Sequence, residues 1–396
     1  MRVMAEAARA SSSWTDPRAV TAADAVRRVT LAAFRCYGQL RLEVDPGPVV
    51  LTGPNGAGKT ALLEALSMLA PGRGLRRAAL GDLARRKPGG EAPTPWSVAA
   101  RVDAAGGEIA LGTGQDPASR ERRVLRIDGE KIRGQKALAE RLAIAWATPE
   151  QDRLFLDGPG ARRRFLDRLV LGFEPGHAAE LAAYEHCQRE RARLLAEGSG
   201  DDAWLSALED GMARHGIAVA AARRAVAERL DAAAASGAGP FPAARLRMSG
   251  AVDQALANMP ALAAEDRLRD ALAAARAQDA AQGGAAHGPH RSDLEVRFAQ
   301  KGIAAAEGST GEQKAMVLSI VLANARALAA ERGRPPLLLL DEVVAHLDRA
   351  RRAAFADEIA ALGAQVWLTG TDDDLFHGLR GRAQFFRILD SSVTRT

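Results

Sequence analysis

Gly53-Pro54-Asn55-Gly56-Ala57-Gly58-Lys59-Thr60 reads G-x-x-x-x-G-K-[ST], and its flanks decide the fold. An apolar run, Val49-Val50-Leu51, precedes it and a helix-forming run, Ala61-Leu62-Leu63-Glu64-Ala65-Leu66, follows it. Strand, loop and helix in that order are what a phosphate-binding loop requires. The glycines let successive backbone N–H groups turn inward on a phosphate, and the helix start that opens on Ala61 adds its positive dipole end. Lys59 then reaches the β- and γ-phosphates, and Thr60 supplies a hydroxyl to Mg²⁺. The sequence therefore predicts a nucleoside-triphosphate site in an α/β fold. A plain Gly-rich turn is the alternative, and it leaves the flanking pattern unexplained.

Working outward, Val29–Phe34 and Leu40–Val44 read as strands, with Pro46-Gly47 turning the chain into the buried strand Val49–Leu51. Three strand candidates follow at Trp96–Val102, Glu108–Gly112 and Arg122–Ile127, the last closing on an Asp128-Gly129 hairpin turn. They predict an antiparallel sheet beside the nucleotide site. From Ala161 to about residue 277 the pattern is mostly helical, with Leu205, Leu208, Met212, Ile217, Ala221 and Val226 on one stripe. Gln282-Gly283-Gly284 reads as a linker back to the first lobe, and Leu294–Phe298 as a strand there. A long helix over about 311–330, a very apolar strand Leu337–Leu340, a helix near Arg349–Leu362 and a strand Gln365–Thr369 complete the chain. The expected division is an extension over 1–26 without order, a first lobe from 27–150 and 285–396, and a helical second lobe from 151–284.

Bulk properties narrow the class. A chain of 396 residues, 47% hydrophobic and 26% charged, suits a globular protein with a substantial core. The net charge of +5 comes from 54 cationic residues of which only six are Lys, so the basic surface is almost all Arg. Clusters at 73–77, 85–87, 120–126 and 162–164 are candidate contacts to nucleic-acid phosphates, or simply solvated Arg. Cys36 and Cys187 match no metal spacing and no disulfide framework, which fits a reducing compartment. No run of 18 apolar residues is present and residues 1–26 carry no apolar signal core, so a cytoplasmic chain without membrane spans is expected.

Two further stretches carry chemistry. Leu337–Leu340 runs straight into Asp341-Glu342, a buried parallel-strand pattern ending in carboxylates where α/β sheets place their ligands. Asp341 is the candidate Mg²⁺ ligand, and Glu342 the candidate base that orients and deprotonates an attacking water. Ser309-Thr310-Gly311-Glu312-Gln313-Lys314 lies about 30 residues earlier at a helix start. It is both a capping box, Ser309 with Glu312, and an available anion site.

In this order, phosphate loop, Ser-Thr-Gly-Glu-Gln-Lys, Leu-Leu-Leu-Leu-Asp-Glu and Ala345-His346-Leu347-Asp348, the chain resembles the ATP-binding-cassette ATPases. The four stretches match the Walker A, signature, Walker B and D-loop elements. About 250 residues separate the phosphate loop from the signature, too many for a transporter cassette. No long coiled coil fills the gap, so the branch of that superfamily it resembles is the RecF family. Pro149-Glu150 with Gly158-Pro159, Arg162-Arg163-Arg164-Phe165-Leu166-Asp167 and Gly288-Pro289-His290-Arg291-Ser292-Asp293-Leu294 extend the likeness over about residues 27–390.

The resemblance implies a P-loop head with an antiparallel β-subdomain and a mainly helical second lobe. It implies ATP and Mg²⁺, slow DNA-stimulated hydrolysis, and an ATP-dependent head-to-head homodimer on duplex DNA or single-/double-strand junctions. In such a dimer Ser309, Gly311 and Glu312 act on the ATP held by the other copy and Asp348 lies at the seam. RecR and RecO are the implied partners, at gaps where RecA is loaded on single-stranded DNA during repair, replication and recombination. Gln151 takes a metal-contacting loop position, where family members often carry Asp. No switch histidine follows the last core strand, which leaves Thr371 or Asp372 as the γ-phosphate sensor. Two other readings stay open: a motor subunit for a membrane partner, and a DNA clamp that binds ATP without turning it over.

Overall fold

The computed structural model describes residues 23–86, 93–198, 201–235 and 241–396. Most of the expected extension, together with Lys87 of the second Arg cluster, lies outside them. The chain enters at β1 (Ala25–Phe34) and returns along β2 (Tyr37–Glu43). It then runs through β3 (Val49–Thr52) into the phosphate loop and α1 (Lys59–Ser67). β4 (Ser97–Ala104), β5 (Gly107–Asp116), β6 (Ser119–Ile127) and β7 (Glu130–Ile132) form a meander. α2 (Lys136–Arg141) and β8 (Ile144–Ala147) lead to the helices α3 (Pro159–Phe173), α4 (His177–Glu197) and α5 (Asp202–Ala235). After β9 (Ala244–Ser249) come α6 (Ala251–Asn258), α7 (Ala261–Ala274), α8 (Arg276–Gln282) and β10 (Asp293–Phe298). The rest is α9 (Thr310–Arg332), β11 (Leu337–Leu340), α10 (Arg349–Leu362), β12 (Val366–Gly370), β13 (Gln384–Leu389) and β14 (Ser392–Arg395).

Two sheets hold the nucleotide end. One is antiparallel in the order β2-β1-β4-β5-β6-β7, as the three spaced strand patterns predict. Asp128 and Gly129 both take positive φ, 50° and 85°, which is the backbone a two-residue hairpin needs. The other sheet runs β14-β13-β3-β12-β11-β8, parallel except at the β14 edge. It is covered on both faces, which is why its strands read as unbroken apolar runs. Leu337 and Leu339 point into the core shared with the antiparallel sheet and α1, while Leu338 and Leu340 point into the core shared with α3, α5 and α9. Apart from Lys314, α9 is buried from Gln313 to Ala325, so it carries apolar residues all round rather than on one stripe.

The structure departs from the sequence expectation at three places. Residues 23–26 belong to the fold: Asp24 is buried, pairs with Arg334 at 3.0 Å, and is followed directly by β1. The helical stretch contains β9, and β10 pairs with it antiparallel instead of joining the parallel sheet, so the return to the first lobe falls after Phe298 rather than at 285. On α5 it is Ala220, not Ala221, that is buried, because the stripe drifts over a 34-residue helix. His290 and Arg291 are held within the helical lobe. His290 Nδ1 shares a 2.6 Å hydrogen bond with the Tyr184 hydroxyl of α4, and Arg291 donates to the Ala285 carbonyl at 3.0 and 2.8 Å.

Candidate nucleotide site

The phosphate loop leaves β3 at Gly53, whose φ of 143° and lack of a side chain are both required. A Cβ there would stand 2.2 Å from the Ile388 carbonyl oxygen of β13. Gly58 precedes α1 at φ 119°, and a Cβ on it would meet the Tyr37 hydroxyl at 2.7 Å and the Cys36 sulfur at 2.9 Å. Both groups come from the β1–β2 turn, where Ala33 and Arg35 take positive φ. Tyr37 donates to the Gly58 carbonyl at 3.1 Å, and burial raises its phenol pKa beyond the usual range. Arg35 locks the same turn onto α1 with two bonds to the buried Glu64 carboxylate, 2.8 and 2.6 Å. The loop thus sits on a braced hairpin, with Pro54, Asn55 and Gly56 exposed at its tip and Ala57 and Ala61 buried beneath.

Lys59 is buried and folded back on the loop, donating to the carbonyls of Gly53 at 2.6 Å and Pro54 at 2.9 Å. Burial lowers its pKa, and the nearby charges of Glu342 and Asp341 oppose that. Thr60 faces the end of β11: its hydroxyl donates to Asp341 Oδ1 at 3.0 Å. Two motifs 281 residues apart therefore meet at a hydroxyl–carboxylate pair, as Mg²⁺ ligation by both requires. Among the described residues no group of three His, Cys, Asp or Glu side chains could hold a metal by itself. A hard cation at Thr60 and Asp341 would complete its oxygen shell from phosphate and water, the usual habit of Mg²⁺.

Glu342 takes a left-handed backbone, φ 55° and ψ 14°, which costs a non-Gly residue about 1 kcal/mol or more. The conformation is held by its N–H donating to the Thr369 hydroxyl at 2.9 Å, while that hydroxyl donates to Asp341 Oδ1 at 2.7 Å. Thr369 is the residue that sequence reading passes over. It closes the strand run that the sequence assigned as Gln365–Thr369, and only the neighbouring-strand register of β11 and β12 shows that it faces the carboxylates. Thr371 lies one residue past β12 and is exposed.

Gln151 is not part of the carboxylate cluster. With its amide oxygen turned to Arg168, it accepts from that guanidinium at 2.6 and 3.0 Å. Its neighbour Asp152 instead shares a cavity of about 20 Å³ with Lys314, Asp341 and Glu342, and pairs with Lys314 at 2.7 Å. That ion pair ties the start of α9 to the nucleotide end.

The signature segment forms the capping box read from the sequence. Glu312 Oε2 accepts from the Ser309 N–H at 2.8 Å, and the Ser309 hydroxyl accepts from the Glu312 N–H at 3.4 Å. Lys301 also pairs with Glu312, and this bond and those from Ser309 hold its pKa at about 2. Gly311 is exposed beside them. Among the described residues no hydrogen bond or ion pair joins Ser309, Gly311 or Glu312 to the phosphate loop of the same chain. Asp348 caps α10, accepting from the Arg351 N–H at 2.8 Å.

The Arg clusters separate by role. Arg123 is structural: it donates to the Gly72 carbonyl and the Thr113 hydroxyl at 2.7 Å each and to the Met68 carbonyl, and burial pulls its pKa down to about 10. Arg162 is a bidentate partner of Asp293 at 2.8 Å. Arg73, Arg76, Arg77, Arg85, Arg86 and Arg164 are exposed.

Residues 25–389 match the family described as RecF/RecN/SMC N terminal domain. The chain is 46% identical over 384 residues to the DNA replication and repair protein RecF of Caulobacter vibrioides, covering 94% of this chain and 98% of that one. It is 45% identical over 377 residues to the protein of the same name from Mesorhizobium japonicum, again covering 94% and 98%. Its fold superposes on the recombination mediator protein RecF-ATPrS with a TM-score of 0.83 at 22% identity, covering 94% and 98%. The Smc head domain of Pyrococcus furiosus follows at 0.53 and 16%, covering 94% and 96%. Near-complete coverage at such identity, on a head fold with the phosphate loop and Asp341-Glu342 brought together, places this chain in the RecF family of SMC-type ATPase heads.

Proposed function

We propose that the chain is an ATP-dependent DNA-binding protein of DNA replication and repair that hydrolyses ATP slowly. The observation that carries the reading is the Thr60–Asp341 contact, which joins the two halves of a nucleotide-and-metal site. The relatives' names supply the DNA and repair context. Gly53, Gly56 and Gly58 give the loop the positive φ values of 143°, 81° and 119° that turn N–H groups toward a triphosphate. Lys59 would exchange its two carbonyl acceptors for phosphate oxygens. Thr60 and Asp341 would hold Mg²⁺, which neutralises charge on the phosphates. Glu342, fixed by Thr369, would orient water and take its proton on a carboxylate oxygen.

Ser309, Gly311 and Glu312 would act on the ATP of a second copy, Asp348 would lie at the seam, and Thr371 or Asp372 would sense the γ-phosphate. Their separation from the phosphate loop of their own chain supports that arrangement. Hydrolysis is slow in this reading because both composite sites must assemble first. Among the described residues no helix is long and apolar enough to cross a membrane, and we place the protein in the cytoplasm, acting at single-strand gaps with RecR and RecO to help load RecA.

Glu342→Gln tests the reading. ATP turnover is expected to fall about 100-fold or more, the usual contribution of a general base. ATP affinity should persist, with an ATP-dependent dimer and its complex with duplex DNA living longer than those of the native chain. Turnover within twofold of native would remove Glu342 from the reaction.

A further inference from the structure

A cleft of about 720 Å³ opens between the segment after α1 and the first helices of the second lobe. None of Gly53–Thr60, Asp341 or Glu342 lines it. α3 starts at its wall with Gly158-Pro159-Gly160 and has no acidic residue in its first turn. Instead two guanidiniums fold back over that positive helix end. A Cβ on Gly160 would lie 3.1 Å from Arg164 Nη1 and 3.7 Å from Arg163 Nη2. Cations crowded together on a helix amino terminus repel one another and the dipole.

Deeper in, Arg168 lies over the Trp146 ring at 4.8 Å and the Phe165 ring at 5.3 Å. Its Nε is shut off from solvent and has no hydrogen-bond partner among the described residues. Burial, with Arg77 nearby, pulls its pKa down to about 9. Arg73 and Arg77 line the facing wall. Among the described residues no ion pair joins the carboxylates on the cleft to this set, although the charge of Glu150 opposes the fall in the Arg168 pKa. Asp167 is taken by Arg223 and His177, Asp157 lies beside Arg153 and Glu185 beside Arg189, and Glu150 touches none of the five by an ion pair.

We propose that the α3 amino terminus, Arg163, Arg164 and Arg168, with Arg73 and Arg77 opposite, form a second oxyanion site that takes a phosphate group. The phosphate belongs to a nucleic-acid strand or to a free phosphorylated molecule. Only the first source rests on the DNA-binding function proposed above.

The test uses the full chain and Arg164→Glu, Arg77→Glu and, as a charge control, Arg141→Glu on the exposed face of α2. Affinity is measured for a labelled short duplex with ATP present, and for pyrophosphate in a Lys59→Ala background that disables the phosphate loop. The site predicts a loss of tenfold or more in Arg164→Glu and Arg77→Glu but not in Arg141→Glu, with ATP affinity unchanged. Loss for the duplex alone assigns a strand phosphate, and loss for pyrophosphate alone assigns a free one. If the native chain binds duplex and all three variants match it with both probes, the site is overturned and the DNA reading stands. If the native chain binds no duplex but pyrophosphate binding is lost in the two cleft variants, the DNA reading fails and the site stands.

Discussion

Two clusters of buried polar groups sit in the molecule, and they are built on opposite rules. In the helical lobe, Arg191 of α4 is closed off and donates to Glu209 at 3.0 Å, to Asp279 at 2.7 Å and to the Leu272 carbonyl at 2.7 Å. Arg276 adds bonds of 2.9 and 2.6 Å to Glu209, and the other oxygen of Asp279 accepts from the Ala286 N–H. Every charge there faces its opposite. At the nucleotide end, among the described residues, Asp341 accepts only from the hydroxyls of Thr60 and Thr369, and Lys59 donates only to carbonyls. Among the described residues no ion pair neutralises Asp341, Glu342 or Lys59. A closed network fixes helices against one another, whereas an unneutralised one keeps charge available for phosphate and metal.

The contrast breaks most visibly under substitution. Arg191→Ala would strand the buried Asp279 and leave Glu209 to Arg276 alone, and is expected to destabilise the chain by about 3–5 kcal/mol. Asp341→Asn loses no cationic partner, so urea unfolding should register less than about 1 kcal/mol while Mg²⁺-dependent ATP binding collapses. Equal costs at the two positions in denaturant titrations would show that the nucleotide end is as fully paired as the helical lobe.

The same contrast explains what the sequence discloses. The functional cluster is legible because its parts are local motifs: a loop whose glycines and lysine must be contiguous, and a doubly buried strand that must run Leu337–Leu340 before Asp341-Glu342. Arg191, Glu209 and Asp279 lie on three separate helices, and no periodicity says which surface-type residue turns inward. β9 escaped because Ala244–Ser249 alternates Arg with apolar residues within a helical stretch, and its partner β10 arrives more than forty residues later. Arg123 looked like a DNA contact because charge patterning cannot see that Met68 and Gly72 carbonyls surround it. Thr369 was hidden by strand register: the hydroxyl that meets Asp341 points inward from β12, while Thr371 follows outside the strand.

Thr369 is where the comparison sharpens, because its one hydroxyl bonds both Asp341 and the Glu342 N–H. Thr369→Val keeps the shape and removes the hydroxyl, leaving the Glu342 N–H without its acceptor and Asp341 with one donor fewer. The expected cost is about 1–3 kcal/mol in unfolding free energy. Turnover should fall along with it, since the left-handed Glu342 loses its tether. Thr371→Val, beyond the strand, is expected to leave unfolding unchanged. A Thr369→Val chain with native stability and native ATPase activity would remove Thr369 from the positioning of Glu342.

The smallest effect belongs to the signature cap, where both rules meet at a surface. Ser309→Ala removes the acceptor for the Glu312 N–H and is expected to cost about 1 kcal/mol of stability, typical of a helix cap. Glu312 sets the pH dependence of the same feature. Its folded pKa, about 2 against an ordinary 4.5, is depressed by Lys301 and by the Ser309 N–H and hydroxyl. A depressed carboxylate contributes its stabilisation above the unfolded pKa and loses it as pH falls through the folded one. The contribution should therefore be intact above about pH 4.5 and fade toward pH 2. Carboxyl-carbon NMR titration of Glu312 in the native chain and in Lys301→Met reads this directly, the midpoint moving up when the ammonium is gone. An unmoved midpoint would assign the depression to the cap alone, and with it the anchoring of the signature helix to Ser309 rather than to Lys301.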